Sequence, residues 1–242
     1  MEFLFFGLIG LCVGSFLNVV IIRLPEGKSI SMPASHCPTC QHPLKWYHNI
    51  PLLSWIFLGG KCAFCKTKIS IQYPIIEILT TFIFVLSYYK NENLLAAGIS
   101  AILFSMLLAL SVIDLKYKAV PDNLSIPALI VSLFMADFMT SVNDALLFAG
   151  GFALLRIFVS WVIKKEAMGE ADIIIAAIIG AVLGVELGMA AIYISAVIAL
   201  PAFLIVSKKG FELPFIPFLT LGLFITWSFK SQMHIVLNYI YG

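Results

Sequence analysis

The sequence predicts an all-α polytopic membrane protein of about eight transmembrane helices, with a small cytoplasmic zinc-binding insertion after helix 1. Three observations carry this. The 242 residues are 61% hydrophobic and only 12% charged, whereas an ordinary soluble domain is about 45–50% apolar and about 25% charged. Apolar runs long enough to cross a bilayer recur along nearly the whole chain. One polar stretch, residues 23–72, interrupts them and holds two CxxC pairs. With so few charges, a soluble fold could not cover the apolar surface. The net charge of +2 is too small to point to nucleic acid, so no nucleic-acid partner is expected.

The apolar runs lie at 3–22, 73–89, 94–113, 123–140, 144–163, 172–186, 187–207 and 213–229. The first could pass for a signal peptide, but it has no basic leader and no A-x-A cleavage site, and Arg23 follows it. It reads as a retained span. The tail SQMHIVLNYIYG is amphipathic and suits the membrane surface. The resulting organisation is a first helix (1–22), a loop domain (23–72) and a helical bundle (73–242). Short connections make sequence neighbours mostly antiparallel.

Loop charges set the orientation. One alternating set of loops holds Arg23, Lys28, Lys45, Lys61, Lys66, Lys68, Lys116, Lys118, Lys164, Lys165, Lys208 and Lys209. The other holds Lys90 and Lys230. The positive-inside rule places the first set in the cytoplasm. Both termini then face outward, and residues 23–72 are cytoplasmic. Arg156 falls inside the fifth run, either turned to the bundle interior or snorkelling.

Cys37, Cys40, Cys62 and Cys65 form CxxC-x21-CxxC. Two such knuckles fold back to present four thiolates to a tetrahedral Zn²⁺. Paired disulfides are disfavoured in a reducing compartment. Four thiolates leave no open coordination position, so the metal reads as structural. A loop of this size has too small a core to hold itself without one. His36, His42 and His48 share the loop and read as ordinary polar residues rather than ligands. Cys12, alone in the first span, reads as a small apolar residue.

Two carboxylates sit where they are costly. Asp114 ends the third run and Asp172 opens the sixth, both at the cytoplasmic boundary. Their structural readings are a partner for Lys116 or Lys118 and a helix N-cap, respectively. Brought together, two carboxylates share a proton, so that one serves as base and the other as acid. Such a pair can activate water and protonate a leaving amine, which is aspartic peptide hydrolysis. Asp122, in VPDN, reads as a turn residue and cap for the fourth span. Glu77 either lines the same cleft or pairs with a lysine.

Several stretches together resemble the type IV prepilin peptidases, bacterial membrane aspartyl proteases that mature pilin-like proteins. They are GSFLNVVIIRLP (14–25), CPTC (37–40), NIPLLSW (49–55), GGKCAFC (59–65), YPIIE (73–77), IDLKYKAVPD (113–122) and AMGEAD (167–172). The resemblance covers nearly the whole chain. It implies an eight-span inner-membrane fold with a cytoplasmic zinc insertion, and catalytic aspartates at Asp114 and Asp172. It implies type IV prepilins and pseudopilins as substrates, cut on the cytoplasmic side of the bilayer. It also implies methylation of the new N-terminal amine with S-adenosylmethionine as methyl donor. One position departs from the family's GxGD pattern. Ala171 stands where glycine precedes the aspartate, and Ile173 follows in place of the usual lysine. Either the backbone at Ala171 is ordinary or the loop is shifted, with Glu170 as the substitute carboxylate. The alternatives are a peptidase without methyl transfer, a non-catalytic scaffold of a pilus or secretion assembly, and a small transporter. The last would favour carboxylates nearer mid-membrane.

Overall fold

The computed structural model describes residues 2–164, 169–206 and 214–241. The described residues form α-helices joined by turns, with two isolated β-bridges in the loop between the first two long helices. Lys165, Lys208 and Lys209, and Ala167 and Met168 of the AMGEAD stretch, lie outside the described residues. Four helices are long and apolar enough to cross a membrane: α1 (Glu2–Arg23), α4 (Leu94–Tyr117), α6 (Phe138–Ile163) and α7 (Glu170–Val206). The others are α2 (Leu53–Phe57), α3 (Gln72–Lys90), α5 (Asp122–Ser132), α8 (Ile216–Ser228) and α9 (Lys230–Tyr241). Large side chains such as Leu146, Leu154, Phe158 and Trp161 stand exposed along α6. An apolar surface of this kind is at home against lipid, not water.

The chain divides into two compact units, Met1–Ser105 and Met106–Gly242. In the first, α1 and α3 run antiparallel. Phe6 stacks on Tyr88 near one end, and Asn18 donates to the Tyr73 carbonyl (3.2 Å) near the other. Between them the backbones almost touch. A Cβ at Gly10 would lie 2.8 Å from the Thr81 Cα, and one at Gly14 would lie 2.7 Å from the Glu77 Cα. Lipid offers no hydrophobic drive for two apolar helices to associate. Close packing over small residues four apart supplies dispersion contact instead. Phe6, Phe84, Ala97 and Ala101 complete the core at that end.

In the second unit α7 packs on α5, α6 and α8. Phe148 of α6 fills the notch left by Gly188 of α7, where a Cβ would sit 2.6 Å from its ring. Gly222 of α8 likewise lets α8 approach the Ala191 carbonyl of α7. Several polar side chains inside the bundle bond locally or across helices. Ser111 meets Thr220 at 2.6 Å, and Ser141 donates to the Ala181 carbonyl at 3.0 Å.

The helix boundaries correct the sequence reading at two places. The run 123–140 is not a single helix. α5 stops at Ser132, and its 11 residues reach only about 16 Å, half a bilayer core. Tight turns at Leu133, Phe134 and Met135 end it. Asp137 then caps α6, accepting from the Thr140 N–H (3.2 Å) and the Thr140 hydroxyl (3.0 Å). This starts α6 at Phe138 rather than at residue 144. The cap signal Asp-x-x-Thr lay inside what composition alone read as one apolar run. Asp122 is not a side-chain cap. It is the first residue of α5, where its charge suits the helix dipole. The runs 172–186 and 187–207 join as α7, interrupted at Gly184 (φ 73°, ψ −174°). That conformation is open to glycine and closed to other residues. The amphipathic tail is α9.

Gly14→Ala is expected to lower the stability of the detergent-solubilised protein by about 1–3 kcal/mol, the usual cost of overpacking against a backbone that cannot yield. Gly98→Ala, at a glycine with open space around it, should not. Thermal unfolding of the two variants side by side checks this.

Candidate metal centre and carboxylate site

The two CxxC knuckles fold as a matched pair. In the first, the Cys37 N–H donates to the His42 carbonyl (3.1 Å) and the Gln41 N–H to the Cys37 carbonyl (2.8 Å). In the second, the Cys62 N–H donates to Thr67 (2.8 Å) and the Lys66 N–H to Cys62 (3.2 Å). Gln41 and Lys66, each directly after the second cysteine, both take a left-handed turn (φ 57° and 60°). A β-bridge closes each knuckle, His36 with Pro43 and Lys61 with Lys68. The four sulfurs consequently lie within 4.8 Å of one another.

The spacing discriminates between the two chemistries open to these cysteines. The Sγ atoms of Cys37 and Cys65 are 3.8 Å apart. A disulfide needs about 2.05 Å. Four sulfurs at about 2.3 Å around a tetrahedral Zn²⁺ stand about 3.8 Å apart. All four are free thiols, so the cluster can hold a metal ion such as zinc. The electrostatics agree. The Thr67 hydroxyl (3.2 Å) and backbone N–H hold Cys65 down at about 6, and the Cys40 backbone N–H lowers Cys37. Cys40 receives a backbone N–H from His42 that favours its thiolate. Desolvation and the sulfurs of Cys65, Cys37 and Cys62 nonetheless push it up to about 11. Four thiolates so crowded cannot all ionise alone, and a divalent cation removes that repulsion.

The histidines stay outside the cluster. His36 Nδ1 contacts the Ala34 carbonyl at 2.9 Å. His42 stacks on Phe64 (3.7 Å between ring centroids), and His48 meets the same ring at 5.5 Å.

Asp114 and Asp172 both lie in the second unit. Asp114, in the last turn of α4, is 8% exposed. It accepts the backbone N–H of Ile216, the first residue of α8. Its Oδ2 is buried with no hydrogen-bond partner among the described residues. Asp172, in the first turn of α7, accepts the Gly169 N–H at 3.1 Å through Oδ2. That is the backward half of a capping box. Each carboxylate thus sits at a helix N-terminus, where the backbone dipoles favour negative charge. The two are close enough to interact electrostatically.

The Ala171 question resolves in favour of an ordinary backbone. Ala171 lies within the first turn of α7 and takes no positive φ, so alanine is tolerated there. Glu170 points to solvent, and its carboxylate pairs with Arg156 at 3.3 Å. That pair accounts for the arginine inside the fifth apolar run. Glu77 pairs with no lysine among the described residues. It is 5% exposed, and its Oε2 accepts the Leu52 N–H at 2.8 Å. Ser15 also bonds this carboxylate. Asn18, in the GSFLNVV stretch, was not singled out from the sequence. Its place in an otherwise apolar run was the available signal.

Apolar helices long enough to cross a membrane and a four-thiol cluster able to hold a metal mark a multi-pass membrane protein. The bacterial peptidase A24 N-terminal domain matches residues 8–91, and the type IV leader peptidase family model matches residues 101–204. The prepilin leader peptidase/N-methyltransferase of Klebsiella pneumoniae is 40% identical over 199 residues, covering 76% of this chain and 85% of that protein. The type 4 prepilin-like proteins leader peptide-processing enzyme of Escherichia coli O78:H11 is 35% identical over 240 residues, 88% of each. The prepilin leader peptidase/N-methyltransferase of Myxococcus xanthus is 40% identical over 185 residues, 74% of this chain but only 55% of that longer protein. No solved structure gives a significant match. The chain belongs to the type IV leader peptidase family.

Purified protein is expected to carry one zinc per chain by elemental analysis. Cys62→Ser should lose it, because a structural site binds through its full ligand set. Chelation should make residues 23–72 sensitive to protease while the helices remain intact.

Proposed function

We propose that the protein is a membrane aspartic endopeptidase. It removes the leader of type IV prepilins and pseudopilins, then methylates the exposed N-terminal amine. The observation that carries this reading is the pair Asp114 and Asp172: two carboxylates on different helices of one unit, each anchored by a backbone N–H, with the charge of Asp172 acting on Asp114. One carboxylate takes a proton from water as the oxygen attacks the scissile carbonyl. The other, protonated, delivers its proton to the amide nitrogen as the C–N bond breaks. The products are a leader with a free carboxylate and a mature chain with a free amine. The Oδ2 of Asp114, buried with no hydrogen-bond partner among the described residues, is the oxygen suited to bond the attacking water.

Methyl transfer to that amine draws its methyl group from S-adenosylmethionine. Its residues are unassigned. We place it with the loop domain of residues 23–72, the large polar piece between spanning helices, and give the zinc a structural role there. The lysine bias of the loops supports a bacterial inner-membrane location with the active site facing the cytoplasm, where a basic prepilin leader remains.

Purified protein incubated with a prepilin substrate should release the leader, and with S-adenosylmethionine the product should gain one methyl mass. Asp114→Asn and Asp172→Asn should each lower cleavage at least about a hundredfold, the usual scale of a lost acid or base. Circular dichroism and zinc content should be unchanged. Cleavage by both folded variants would refute the dyad.

A further inference from the structure

The stretch IPLLSWIFL, residues 50–58, has no role in either site above. It is an uncharged, strongly apolar nonapeptide inside the polar loop, with Lys45 before it and Lys61 after it. We infer that it is a short re-entrant segment dipping into the phospholipid leaflet on the Arg23 side of the membrane. The inference rests on α1 being a membrane span and is independent of the catalytic reading.

The depth follows from contacts within the first unit. Asn18 bonds the Tyr73 carbonyl, so the start of α3 is level with a residue five positions short of Arg23. Gly14 touches Glu77, so Glu77 is level with a residue nine positions short of it. At 1.5 Å per residue, Glu77 lies about 13 Å inside the Arg23 end of α1. The Leu52 N–H reaches the Glu77 carboxylate at 2.8 Å. The helix that begins at Leu53 therefore starts beside the apolar body of α1, not beyond its charged end.

Side chains and backbone both suit that place. Leu53, Ile56 and Phe57 point away from the protein, Phe57 with 83% of its surface exposed. In water such a cluster is a liability, whereas in the leaflet each side chain is buried by lipid. Backbone at this depth must satisfy its own polar groups. The N–H groups of Ser54, Ile56, Leu58, Gly59 and Gly60 bond to carbonyls within residues 50–56. Leu52, whose positive φ of 58° turns its N–H out of the local pattern, is satisfied by Glu77. At the segment's edge, exposed Trp46 and Tyr47 adjoin Lys45, whose Nζ lies 5.8 Å from the Tyr47 ring centre. Aromatic rings beside a lysine are the side chains that settle at the headgroup level, and the lysines complement anionic lipid. Glu77 would thus act as a positioning residue, mounting the loop domain against the membrane.

The test uses the full-length protein in nanodiscs of phosphatidylglycerol and phosphatidylcholine. Phe57→Trp is made in a chain whose four native tryptophans are phenylalanine. Lipids brominated high on the acyl chain should quench its emission, and aqueous iodide should not. The unmodified chain, reconstituted with a diazirine phospholipid and irradiated, should carry lipid adducts within residues 50–58. This second arm does not depend on the tryptophan variant folding. Full quenching by iodide with none by brominated lipid, together with adducts confined to the spanning helices, would overturn the inference. So would shielding that arises only when a prepilin substrate is added, which would assign the surface to the substrate.

Discussion

A polar group carried into an apolar bilayer must find its partner inside the protein, and the arrangement of this molecule follows from that constraint. Asn18 bonds the carbonyls of Gly14 and Tyr73. Glu77 takes the Leu52 N–H, Asp114 the Ile216 N–H and Asp172 the Gly169 N–H. For the three carboxylates the partner is a backbone N–H left open at a helix start or a sharp turn. The costly carboxylate and the orphaned N–H solve each other's problem.

The same economy governs how the helices meet. With lipid as apolar as leucine, helices associate where small residues let backbones come close. Gly10 and Gly14 do this between α1 and α3, and Gly188 and Gly222 do it around α7. The close approach at Gly14 is also what brings Glu77 level with the interior of α1, so that the carboxylate can reach the loop. Packing and polar satisfaction are thus one arrangement in the first unit.

The metal centre obeys a different rule, because it stands outside the spanning helices. Two knuckles with equivalent hydrogen bonds and equivalent left-handed turns converge on a single tetrahedron of sulfurs. Crowded thiols resist ionising together, as the raised Cys40 shows beside the lowered Cys65. A bound cation would convert that conflict into the cross-link that a small polar loop lacks.

The sequence by itself determined the class of protein and the membership of its metal cluster. Apolar run length reports directly on spanning helices, and CxxC spacing reports directly on knuckles, since both signals are local. The boundary near Gly184 was legible within two residues. The break between α5 and α6 was placed several residues late, because Asp137 and Thr140 act through a cap that hydropathy does not register. Only the tertiary structure decided the partners of the carboxylates. Glu77 and Leu52 are 25 positions apart, and Arg156 and Glu170 meet across two helices. It likewise decided that Ala171 needs no glycine, because the turn there is helical. Such pairings depend on which helix faces meet and at what depth. Those are set by packing over small residues, information spread across segments that no single stretch of sequence contains.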